Sequence, residues 1–112
     1  MEITPPRGTP LAGYGKLRKK HSVGVYDSLY ARALALSRGG ETFVLVSADL
    51  VLIDAKLRRE VLKRINKKRL LGDEQLVLLA THTHSGTGAI GGRFWQRFIM
   101  GKRESKIFQM TS

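Results

Sequence analysis

The chain has 112 residues, no cysteine and a formal net charge of +11, set by 20 lysines and arginines against 9 aspartates and glutamates. That length suits one domain with a modest core, and the lack of thiols excludes a disulfide framework or a thiolate metal site. The basic balance favours an anionic partner, whether nucleic acid, an anionic lipid surface or another acidic partner, and no apolar stretch approaches the about 20 residues that span a bilayer.

The chain opens Met1-Glu2-Ile3-Thr4-Pro5-Pro6. No apolar secretory core is visible there, so a soluble, cytoplasmic placement is expected for the chain as given. Glu2-Ile3-Thr4 reads as a short edge strand stopped by the two prolines. Gly8, Pro10, Gly13 and Gly15 then mark an irregular loop carrying Leu11 and Tyr14. It reads equally as a surface connection or as the lining of a pocket. His21 ends the basic run Lys16-Leu17-Arg18-Lys19-Lys20-His21 and is expected in solvent.

Residues 29 to 36 satisfy two patterns. Ala and Leu favour helix, whereas the alternation of Leu34 and Leu36 before Gly39-Gly40 favours a strand. Thr42-Phe43-Val44-Leu45-Val46-Ser47-Ala48 is β-branched, apolar and of strand length, so 37–41 reads as a hairpin loop. Asp49 closes that strand, either as a cap of the following turn or as a carboxylate that orients a histidine.

Asp54 stands before a helix expected over Ala55–Arg69, with Leu57, Val61, Leu62 and Ile65 on one face and Gly72-Asp73 as its end. Eight basic residues lie between Lys56 and Arg69. They form a solubilising face, or a contact for anionic lipid or nucleic acid. No aromatic interleaving supports nucleic acid, which is the disfavoured partner of the two. The order strand, strand, helix, strand implies an α/β fold with a mixed sheet.

Leu76-Val77-Leu78-Leu79-Ala80 is a continuous apolar segment, as suits a strand buried on both faces, and it ends in Thr81-His82-Thr83-His84-Ser85-Gly86. Strand alternation sends the imidazoles of His82 and His84 to one face, roughly 7 Å apart. Such a pair can serve one metal ion, or can simply hydrogen-bond to loop backbone. After Gly92, the tail Arg93–Met100 holds Phe94, Trp95, Phe98, Ile99 and Met100, more apolar surface than a chain of this size readily covers.

Five blocks, taken in order, resemble the amino-terminal part of the neutral/alkaline, non-lysosomal ceramidases. They are Ile3-Thr4-Pro5-Pro6 with Gly8, Leu11-Ala12-Gly13-Tyr14, Asp27 with Leu29-Tyr30-Ala31-Arg32-Ala33, Val46-Ser47-Ala48-Asp49-Leu50, and Thr81-His82-Thr83-His84-Ser85-Gly86. The resemblance implies a zinc-dependent amidase that cleaves the N-acyl bond of ceramide to sphingosine and a fatty acid. It assigns His82 as a zinc ligand and His84 as a catalytic residue beside the metal, near the lipid substrate. Residues 1–112 would then be an incomplete N-terminal portion of a larger catalytic domain, inactive alone, because the other family ligands and an essential serine come later. Thr87 departs from the pattern by standing where the family usually has proline.

Overall fold

A computed structural model describes residues 1–14, 20–68 and 70–87. The basic run from Lys16 to Lys19, Arg69 and the apolar tail Arg93–Met100 lie outside the described residues. Three strands and one helix follow the expected order: β1 (Ala31–Arg38), β2 (Glu41–Ala48), α1 (Ala55–Ile65) and β3 (Leu76–Ala80). The sheet is ordered β1-β2-β3, with the first pair antiparallel and the second parallel. The fold is therefore α/β with a small mixed sheet.

Residues 31–38 are strand rather than helix because the hairpin settles them. Gly39 and Gly40 have φ of 60° and 81°, the positive pair that a tight two-residue connection needs to match strand twist. Ser37 and Thr42 close that end with a hydroxyl pair at 2.8 Å. Near the other end, Asp49 takes the Tyr30 N–H at 2.8 Å and the Thr81 hydroxyl at 3.1 Å. One carboxylate thus joins the chain before β1, after β2 and after β3. The first residues add a backbone bridge, Glu2 to Tyr30, rather than a full strand.

Asp54 caps α1, its carboxylate accepting the Leu57 N–H at 2.8 Å. The helix stops at Ile65, short of the Arg69 expected. Asn66 is the reason: its Oδ1 accepts the Leu71 N–H at 2.8 Å, its Nδ2 donates to the Leu71 carbonyl at 3.1 Å, and the pair turns the chain out of the helix. Arg58 then ties α1 to the start of β3, donating to the Leu76 carbonyl at 2.9 Å and to Asp73.

The register divides the sheet into two unlike faces. Val44, Val46, Ala48, Leu76, Leu78 and Ala80 share the more buried one. Leu34, Leu36, Phe43, Val77 and Leu79 share the other, where each is between 43% and 56% exposed. β3 is therefore covered on one face only, against the expectation of burial on both, because the described residues supply a single layer over this sheet.

Candidate metal and substrate site

The parallel strands β2 and β3 end side by side, and the loops that leave their carboxyl ends build the site. Clefts at that edge are where open α/β sheets bind ligands. The ladder continues past both strands: Thr81 N–H donates to Ala48, and His82 N–H to Leu50, each at 3.0 Å. These bonds fix the backbone leading into the first histidine.

His82 and His84 do come together, though by another route than strand alternation. β3 ends at Ala80, and His82 has φ of 62°, the sole left-handed residue other than glycine among those described. Such a conformation is uncommon for a side-chain-bearing residue and persists only where its surroundings enforce it. The turn brings the rings closer than an extended strand would. Their centroids are 5.0 Å apart, nearly perpendicular, and the two Nε2 atoms are 3.4 Å apart.

The Val51 carbonyl lies 2.7 Å from His82 Nδ1. A carbonyl only accepts, so Nδ1 carries a proton, and in the neutral ring Nε2 keeps the lone pair. This is the arrangement by which proteins orient a metal-binding imidazole through its second nitrogen. Asp49, the carboxylate considered for that task, is engaged with Tyr30 and Thr81 instead. The backbone of Val51, whose side chain is 3% exposed beside Ala12, does the orienting. No sequence signal marks a backbone carbonyl, since every residue has one.

The glycine-rich loop near the amino terminus lines the site. Ala12 is fully buried, and its N–H donates to Gly86 at 3.0 Å, fastening that loop to the histidine block. Gly13, at φ of 87°, faces the His84 ring so closely that a Cβ would lie 2.1 Å from Nδ1. Tyr14 meets the same ring edge-on at 5.8 Å, and the Lys20 ammonium sits 4.5 Å from the Tyr14 centroid. His21 is exposed, and its backbone bridges Pro10.

The geometry suits a zinc ion in part. His82 presents one oriented nitrogen, its Nε2, with the His84 Nε2 3.4 Å away. No group of three His, Cys, Asp or Glu gathers among the described residues, so these provide an incomplete ligand set.

Comparison with known proteins fixes the relationship. Residues 2–108 match the family described as neutral/alkaline non-lysosomal ceramidase, N-terminal. The chain belongs to this ceramidase family. A neutral ceramidase of Pseudomonas aeruginosa is 33% identical over 82 residues, covering 70% of this chain. The chain spans only 12% of that relative's length. No solved structure matches it. No helix among the described residues is long and apolar enough to cross a membrane.

Proposed function

We propose that this chain is the N-terminal part of a zinc-dependent amidase that hydrolyses the N-acyl bond of ceramide to sphingosine and fatty acid. The observation that carries the reading is the His82 ring, held at Nδ1 by the Val51 carbonyl, with a second imidazole nitrogen 3.4 Å from its Nε2. Zinc held there would lower the pKa of a bound water and polarise the amide carbonyl. His82 acts as a nitrogen ligand. His84 acts as a hydrogen-bond donor beside it: with a metal on His82, the His84 Nε2–H would face the substrate oxygen, where charge develops during amide cleavage.

One histidine ligand falls short of four, so the remaining donors belong to other parts of the catalytic domain and the 112-residue chain alone has no amidase activity. The exposed stripe Lys56, Arg59 and Lys63 on α1 supports a second contact, with the anionic surface of the bilayer that contains the lipid substrate.

A chimera tests the reading. Residues 2–86 replace the matching stretch of the Pseudomonas aeruginosa enzyme, and zinc content and ceramide hydrolysis are measured together. His82→Ala should remove both, whereas His84→Ala should spare zinc and remove hydrolysis. Full hydrolysis by a folded His82→Ala chimera would overturn the assignment.

A further inference from the structure

One face of the sheet has the composition of an interior and the exposure of a surface. The register places Leu34, Leu45 and Val77 in one row across the three strands, Leu36 beside Phe43 in the next, and Leu79 beside Ser47 in the row on the other side. Leu34, Leu36, Phe43, Val77 and Leu79 are 56%, 52%, 43%, 43% and 50% exposed. Together they leave on the order of 500 Å² of contiguous apolar surface, the upper end of what a monomer shows to water. Exposed Arg32, Arg38 and Glu41 stand at its rim on the same face. A polar rim around an apolar centre is the anatomy of an interface.

We propose that this face is the docking surface for the rest of a full-length ceramidase chain, which lays a second apolar layer across β1, β2 and β3. Three observations select that occupant. First, β2 and β3 are parallel and read as continuous apolar runs, the pattern of strands that all-parallel sheets bury on both faces. Second, no large side chain among the described residues is fully buried, so the layer that would close this core is not among them. Third, the matched relative is a far longer polypeptide, of which this chain covers 12%. The proposal rests on family membership and not on the zinc reading, so each can fail without the other.

The chain has no cysteine, which makes single thiols clean reporters. Leu36→Cys and Leu79→Cys are made one at a time, with Lys63→Cys on exposed α1 as the control, and each is reacted with a maleimide. In the 112-residue chain all three should label at similar rates. In the chimera described above, Leu36→Cys and Leu79→Cys should label about tenfold more slowly or less, since reaction then waits on local opening, while Lys63→Cys is unchanged.

Equal labelling of Leu36→Cys in the chain and the chimera would overturn the proposal. So would protection already present in the isolated chain, accompanied by a dimer in light scattering, because a second copy would then be the occupant. Protection that appears only with phosphatidylcholine vesicles would overturn it in favour of lipid. If the chimera does not accumulate, hydroxyl-radical footprinting of the native Pseudomonas aeruginosa enzyme decides. Protection at the residues matching Leu34, Leu36 and Phe43 supports the proposal, and oxidation there at the rate of surface side chains refutes it.

Discussion

Gly13→Ala should disable the histidine pair without unfolding the chain. A Cβ at Gly13 would lie 2.1 Å from His84 Nδ1 and 2.3 Å from Cε1, whereas ordinary contact begins at 3.4 Å. The ring or the loop must therefore retreat by roughly 1.3 Å, the difference between 2.1 and 3.4 Å. A shift of that size breaks the 3.4 Å spacing of the two Nε2 atoms. The backbone adds its own cost, because φ of 87° at Gly13 disfavours alanine by about 1–2 kcal/mol. Gly8 separates the two effects: it has the same φ of 87°, yet a Cβ there meets nothing within 4 Å. Thermal unfolding should show both alanine variants destabilised by about 1–2 kcal/mol. Ceramide hydrolysis in the chimera should separate them, falling about tenfold, or 1.4 kcal/mol, in Gly13→Ala alone while zinc content is unchanged in both. Equal hydrolysis by the two variants would refute the claim that Gly13 makes room for His84.

The remaining predictions test the joints of the site. His82→Ala should cost about 1 kcal/mol more in urea unfolding than His82→Gly, because only glycine relieves the left-handed backbone; equal stabilities would mean that φ of 62° carries no strain. Asp49→Ala should destabilise the chain by about 2 kcal/mol, since it leaves the Tyr30 N–H and the Thr81 hydroxyl without their acceptor. Chemical denaturation measures this, and a change within experimental error would remove Asp49 as the joint of the three strands. Replacing Lys56, Arg59 and Lys63 by glutamate should weaken binding to phosphatidylglycerol vesicles by about 1 kcal/mol per residue in a salt-dependent way. Binding that ignores both charge and salt would exclude α1 as the lipid contact.

The fold was largely legible because its signals were local. Asp54 before a periodic apolar stripe marks the start of α1, and paired glycines between two apolar runs mark the β1-β2 turn. The end of α1 was less visible: the Asn66 amide reaches a backbone five residues on, and that bond depends on where Leu71 returns. At the site, residue types could be read and geometry could not. The His82-x-His84 spacing pointed to a pair, but alternation assumed a strand that has already ended at Ala80. Gly13 and Val51 reach the histidines across 71 and 31 residues of chain, through steric fit and a backbone carbonyl, neither of which has a composition. The bareness of Leu34, Leu36 and Phe43 was equally hidden, because an apolar strand reads the same whether or not its second layer is present.

Long-range proton–nitrogen correlation spectra of the histidine rings, recorded at neutral pH before and after zinc addition, address the central claim most directly. The account predicts that His82 holds its proton on Nδ1 throughout, against the Val51 carbonyl, and that zinc shifts its Nε2 resonance. Zinc binding through Nδ1 of His82, or zinc that leaves the His82 ring unchanged, would contradict it.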